Sequence, residues 1–199
     1  SIDSRPYPAS VFYKPLTLDR EHEEEYYLQI QAIIKSVHER EDGGDVLVFL
    51  PGEAEIKSCI QSLFGSELMD ARELDIYPLY GRLSKEDQEK VFTPTTIGHT
   101  KVVVSTNIAE TSLTIDGIRC VIDSGWCKIN YYNQRNFTSA LIPSLISKAS
   151  ADQRKGRAGR TAPGVCWRLY SEDNYNRRRE YSEEEILHSD LAEVVLRMC

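Results

Sequence analysis

The sequence predicts an α/β fold, a parallel sheet flanked by helices with a protruding β-hairpin, and three observations carry that expectation. Short continuous apolar runs, such as Asp45-Val46-Leu47-Val48-Phe49-Leu50, have the character of strands buried on both faces. They alternate with segments whose apolar residues recur at helical spacing, the pattern of parallel strands joined by right-handed crossovers. One interval, residues 126–146, breaks the alternation by setting Trp126, Ile129, Tyr131, Tyr132, Phe137, Leu141 and Ile142 around a polar Asn133-Gln134-Arg135-Asn136 turn.

In order, three prolines and the piece Val11-Phe12-Tyr13 form an extended entry strand within residues 1–15. Residues 19–25 then carry five acids and one Arg ahead of Tyr27, Ile30, Ile33, Ile34 and Val37, so a helix is expected with its acids at the positive end of the macrodipole. Glu41-Asp42-Gly43-Gly44 stops it. After the first buried strand, Pro51-Gly52 turns into a helix with Ile56, Ile60 and Leu63 on one side, and residues 74–79 form a strand. Ser84, with Asp87 three residues on, caps a helix running to Phe92. Residues 101–105 are a strand leading through Thr106-Asn107 into a short helix, and residues 119–123 are another. After the hairpin come a basic helix, a strand over residues 164–170, a polar tail over residues 171–185 containing Arg177-Arg178-Arg179, and an apolar helical pattern from Leu187 to Cys199.

Composition narrows the function classes. The 199 residues suffice for one sizeable core, and no apolar run approaches the roughly 18 residues that cross a bilayer. The opening residues lack a basic start and an apolar stretch, so no secretory signal is read and the expected setting is intracellular. Five cysteines, at positions 59, 120, 127, 166 and 199, form no C-x-x-C pair and are expected to be reduced core residues rather than zinc ligands. A net charge of −7 argues against a protein that coats nucleic acid by bulk attraction, while leaving room for a local basic groove.

Such a groove is suggested by Gln153-Arg154-Lys155-Gly156-Arg157-Ala158-Gly159-Arg160. From Lys148 to Arg168 there are six Lys or Arg against one acid, Asp152. If the stretch is helical, Gln153, Arg157 and Arg160 stand at i, i+4 and i+7 and share one face, which suits a phosphate. A solvated basic helix is the plain alternative. Gly156 and Gly159 argue against it, since each costs about 1 kcal/mol relative to Ala inside a helix and is better understood where backbone or ligand approaches closely. Three strand ends also carry polar residues that a purely structural sheet does not require: Pro51-Gly52-Glu53, Gly81-Arg82 and Ser105-Thr106-Asn107. Ligands of parallel sheets bind beyond the C-terminal ends of strands, and a helix beginning at Thr106 would offer free N–H groups to an anion.

Four segments, LVFLPGEAEI at residues 47–56, YPLYGRLS at 77–84, STNIAETSLTI at 105–115 and QRKGRAGR at 153–160, resemble in order and spacing the motifs IV, IVa, V and VI of DEAH-box RNA helicases. The resemblance covers nearly the whole chain and implies a RecA-like fold, the second of the two motor lobes, over residues 1–180, with residues 181–199 beginning a winged-helix domain. It implies ATP held between two lobes, with Gln153, Arg157 and Arg160 at its phosphates and the two arginines acting as fingers. Phe92 matches an aromatic that stacks on adenine, although a core position is equally compatible with its apolar ring. Asp116, just after motif V, matches a residue near the ribose, and Thr114 within motif V is likewise implied at the nucleotide. Gly81, Arg82, Thr106 and Asn107 match the region that grips the RNA backbone. The hairpin matches one that lies against the nucleic acid, though its aromatics would equally suit inward packing.

The chain departs from the family pattern in two places. None of its 11 glycines is followed by Lys and no Asp is followed by Glu, so it has neither a phosphate-binding G-x-x-x-x-G-K-[ST] loop nor a DEAH box. The resemblance therefore implies half an active site, with Mg²⁺ ligands in a first lobe and no turnover by this piece alone. Implied partners are RNA, that first lobe, the winged-helix domain and an activating protein, with no membrane; the implied compartment is nucleus or cytoplasm, in RNA processing such as splicing. A RecA-like scaffold without ATP coupling is the rival from another class, disfavoured by the intact arginine pair. No base-reading motif separates RNA from DNA, and only the resemblance favours RNA.

Overall fold

The computed structural model describes residues 7–184. Strand β1 (Ala9–Tyr13) leads to helix α1 (Glu23–His38), strand β2 (Asp45–Phe49), helix α2 (Glu53–Phe64) and strand β3 (Leu74–Leu79). Helix α3 (Lys85–Glu89) is continued by a 3₁₀ turn (Lys90–Phe92) before strand β4 (Thr100–Ser105), helix α4 (Ile108–Thr111) and strand β5 (Ile118–Asp123). A ribbon of β6 (Trp126–Asn133) and β7 (Thr138–Leu145) follows, then helix α5 (Lys148–Gly156), strand β8 (Gly164–Arg168) and helix α6 (Glu172–Asn176).

Six strands form one sheet in the order β1-β8-β5-β2-β4-β3, every pairing parallel. Alternation along the strands sends side chains to two cores. Val46, Val48, Val102, Val104, Cys120 and Ile122 pack under α1 and α2. Leu47, Phe49, Val103, Val121 and Cys166 pack on the opposite face with Val91, Ala109 and Ala158. Pro78 is tolerated within β3 because, among the described residues, that strand lies at the edge of the sheet and pairs with β4 alone. Ser84 caps α3 as expected, its hydroxyl accepting from the Asp87 N–H at 3.1 Å.

The register levels the C-terminal ends. Leu79 pairs with Ser105, Ser105 with Phe49, Phe49 with Asp123, and Asp123 with Arg168. The loops after β3, β4, β2 and β5 therefore leave one rim, and the antiparallel β6–β7 ribbon rises from the β5 end of it.

Three expectations change. The helix expected from Thr106 begins at Ile108 and has only four residues, and the Thr106 N–H is already given to the Leu79 carbonyl at 3.1 Å. So short a helix sums too few peptide dipoles to hold an anion by its terminus. The basic helix ends at Gly156 with Arg157 as its C-cap, so Arg160 lies beyond it and helical spacing does not place it. The polar tail is not all solvated: α6 forms within it, and Arg178 is buried, donating to the carbonyls of Gly125 and Ile146 at 2.9 and 3.2 Å. The expected winged-helix start at residues 181–199 lies, from residue 185 on, outside the described residues, as does Cys199. Cys59, Cys120 and Cys166 are buried core thiols, and Cys127 is half-buried on β6.

Candidate functional site

The cluster of basic residues divides into two populations. Arg154 is wholly buried, its Nε giving a hydrogen bond to Glu110 Oε1 and its Nη1 to Asp123 Oδ1, both at 2.7 Å, while Nη2 reaches the Trp126 carbonyl at 3.2 Å. Burial works against its charge, but the carboxylates of Asp123 and Glu110 outweigh it and hold the guanidinium above the ordinary arginine value. Arg168 is likewise internal, donating to the Tyr13 hydroxyl and to Asp152 at 2.9 Å each. Two of the six positive charges counted in the sequence, Arg154 and Arg168, are therefore paired with carboxylates by buried side chains.

Arg157 and Arg160 are the other population. Arg157 is half-buried, and its guanidinium donates to the main-chain carbonyls of Leu113, at 3.0 Å, and Glu110. Exposed Arg160 donates to the Thr114 hydroxyl at 2.8 Å. Neither forms an ion pair among the described residues. Burial, and then the like charge of Arg160, hold Arg157 below the ordinary arginine value. The Glu110 carboxylate acts on Arg157 in the opposite sense without forming an ion pair with it, so two neighbouring cations are held by neutral hydrogen-bond acceptors, an arrangement whose chemistry suits a polyanion. The structure thus brings Arg157, Arg160 and Thr114 together through the loop after α4. Gln153 is exposed, and its side chain has no hydrogen-bond partner among the described residues. Asp116 is also exposed on that loop. Phe92 closes the 3₁₀ turn with 47% of its surface open, so the core alternative does not hold.

The two glycines of the basic stretch differ. A Cβ on Gly159 would collide with the Tyr7 carbonyl, whose own N–H donates to the Gly159 oxygen at 2.7 Å, so backbone approach explains it. At Gly156 and at Gly81 an added Cβ would meet nothing within 4 Å, and neither has a positive φ, so nothing within the described chain requires glycine there.

Gly81 and Arg82 leave β3, and Thr106 and Asn107 leave β4, on neighbouring strands whose last residues Leu79 and Ser105 are paired. Gly81, Arg82 and Asn107 are exposed and Thr106 is half-buried. The ribbon, rising from the β5 end of the rim, is braced by Lys128 Nζ on the Glu55 carboxylate of α2 at 3.0 and 2.9 Å. Its aromatics do not pack inward: Tyr131 and Tyr132 are each 54% exposed and Phe137, at the turn, 82%. The C-terminal rim and the ribbon thus present exposed polar groups and exposed aromatic rings.

Sequence reasoning missed Arg154, Glu110, Asp123 and Arg178. The one available signal was an acid, Asp123, directly after the apolar run Cys120-Val121-Ile122; its partners lie 31 and 47 residues away in Arg154 and Tyr170. Among the described residues no group of three or more His, Cys, Asp or Glu is placed to hold a metal ion, and no helix is long and apolar enough to cross a membrane.

Comparison with known proteins follows the same lines. Residues 28–162 match the model of the helicase conserved C-terminal domain. The ATP-dependent RNA helicase HrpA of Borreliella burgdorferi is 46% identical over 198 residues, covering 100% of this chain and 24% of that protein. HrpA of Escherichia coli is 42% identical, covering 99% of this chain and 15% of its own length. The crystal structure of the E. coli DExH-box NTPase HrpB superposes with a TM-score of 0.78 at 35% identity, over 92% of this chain and 22% of that one. The chain thus spans about a quarter or less of these relatives, and their bacterial origin lends no support to a nuclear or splicing role. The chain belongs to the helicase conserved C-terminal domain family and is a RecA-like lobe of the DEAH-box type.

Proposed function

We propose that this chain is the second motor lobe of an ATP-dependent RNA helicase, coupling ATP hydrolysis to movement along RNA and to its unwinding or remodelling. The observation that carries the proposal is the Arg157–Arg160 pair, held by neutral acceptors and without a direct ion pair among the described residues. Arg157 and Arg160 present their charge to the γ-phosphate when the first lobe closes, and Gln153 lies on the same segment. An arginine finger in this role contributes roughly 10³ to 10⁵ in rate, because it meets charge that develops in the transition state. Phe92 supplies a face for the adenine, with Thr114 and Asp116 toward the sugar and phosphates. ATP hydrolysis supplies the free energy, and we assign the Mg²⁺ ligands and the phosphate cradle to the first lobe.

On the rim, Gly81, Arg82, Thr106 and Asn107 hold the strand by its backbone, which suits movement indifferent to sequence. Closing and reopening of the lobes changes the spacing between this grip and that of the first lobe, moving the strand in steps. The relatives' names speak of RNA, and we place RNA here on that ground, with the winged-helix domain and an activating protein as further partners. The test is ATP turnover and RNA duplex displacement by the full-length parent, alongside the isolated chain. The parent is expected to hydrolyse ATP in an RNA-dependent manner and the isolated chain to be inert. Turnover by the pure isolated chain, abolished by Arg157→Ala, contradicts the assignment of half a site.

A further inference from the structure

Glu110 is touched by two arginines of different character. Its carboxylate receives Arg154 Nε at 2.7 Å, and its main-chain carbonyl receives Arg157 Nη2. On its other side Arg154 is bound to the root of the ribbon: Nη2 reaches the carbonyl of Trp126, the first residue of β6, and Nη1 reaches Asp123, whose Oδ1 also takes the Gly125 N–H at 2.8 Å. The second root is tied in as well, since the Ile146 N–H donates to the Gly125 carbonyl and Arg178 bridges the carbonyls of Gly125 and Ile146. Beneath the assembly the Phe49 ring lies 4.8 Å from the Arg154 guanidinium carbon, and the Tyr170 hydroxyl closes Asp123 Oδ2 at 2.8 Å.

We propose that Arg154 is a positioning residue that links the root of the β6–β7 ribbon to the Arg157–Arg160 pair, so that displacement of the ribbon by a bound strand resets the pair. All three guanidinium nitrogens are in use and the side chain has no water to turn to. Moving the ribbon root away would leave a buried donor or carboxylate unpaired, which is costly in a dry interior. Movement at the root is therefore passed on along the chain Trp126–Arg154–Glu110–Arg157 instead of being absorbed locally. The same geometry works in reverse, because coupling between two sites is reciprocal. The inference rests on the motor reading and adds to it the path by which strand binding is felt at the arginine pair.

The test uses the full-length parent and measures how far adenylyl imidodiphosphate shifts the affinity for fluorescein-labelled oligouridylate, with RNA-stimulated ATP hydrolysis recorded on the same samples. Wild type is expected to show a shift of about fivefold or more, within the range typical of coupled sites. In Arg154→Lys the shift should fall close to one while each ligand alone binds as in wild type, a pattern that mere loss of stability does not give. Shortening the ribbon to a tight turn should abolish the shift equally, and adding Arg154→Lys to it should change nothing further. A full shift in folded Arg154→Lys, or losses that add in the double variant, overturns the linkage. Should Arg154→Lys lose its cooperative melting, Asp123→Asn keeps the shape and removes the charge, and an undiminished shift there overturns it equally. A wild-type parent without RNA-stimulated hydrolysis overturns the motor reading and this inference together; hydrolysis present with coupling untouched by these variants overturns the inference alone.

Discussion

Arg154 Nη1 stands 2.7 Å from Asp123 Oδ1, with both side chains at 0% solvent exposure, at the point where helix α5, strand β5 and the hairpin root meet. Removing one partner of such a pair strands the other charge in a dry interior, which typically costs about 3–5 kcal/mol. Arg154→Ala should lower the urea midpoint of the domain by a corresponding amount. Asp123→Asn in the same background should restore part of the loss, because less uncompensated charge then stays buried. A double variant less stable than either single one contradicts the electrostatic account.

The Phe92 ring stands 47% exposed at the end of its 3₁₀ turn. Phe92→Ala should leave the melting temperature nearly unchanged and weaken nucleotide binding by the parent about tenfold, the worth of one stacking contact. Titration with a fluorescent ADP reads the affinity. A nucleotide affinity unaltered by Phe92→Ala contradicts the stacking role.

Gly81 has open space where a Cβ would stand, so Gly81→Ala should be neutral for folding. Its effect, like that of Thr106→Ala, should appear as weaker strand binding of similar size for every RNA sequence tried. Gly159→Ala is the contrasting control, since its Cβ collides with the Tyr7 carbonyl and folding itself should suffer. Losses at Gly81 or Thr106 that depend strongly on base sequence contradict a backbone grip.

Burial pushes the thiols of Cys59 and Cys120 up to about 12, and that of Cys166 is raised further by burial together with the nearby Asp123. A group whose pKa is higher folded than unfolded stabilises the fold in full below its unfolded value, about 8.5 for a thiol, and loses that contribution as pH rises toward the folded value. Stability measured by urea should therefore decline above about pH 8.5, and Cys120→Val should flatten the decline. At pH 8 these three thiols should resist iodoacetamide in the native state and react on unfolding.

Periodicity and turn chemistry made most of the fold legible, because those signals are local. Residues 74–79 form the expected strand, Ser84 is the expected cap, and the interval around Asn133–Asn136 is the expected ribbon, with its turn one residue later at Gln134–Phe137. What stayed hidden depends on partners distant in sequence. Arg154 reads as one more charge in a basic run, and only the folded chain brings Glu110 and Asp123 around it. Arg178 likewise reads as tail until Gly125 and Ile146 close over it. Helical spacing reached Arg157 and failed at Arg160, because the helix ends between them and a turn, with Thr114 as anchor, sets the second arginine. The residues proposed to grip the strand were visible as polar strand ends, but the helix dipole invoked for Thr106 fails with a helix of four residues.

The central claim is that the Arg157–Arg160 pair completes an ATP site shared with another lobe. The most direct measurement is RNA-stimulated ATP hydrolysis by the full-length parent, wild type against Arg157→Ala, with RNA affinity followed in parallel. The account predicts a fall of about 10³-fold or more in turnover with RNA binding retained. Turnover equal to wild type would mean that the basic segment is structural and that the lobe serves as a binding module without ATP coupling.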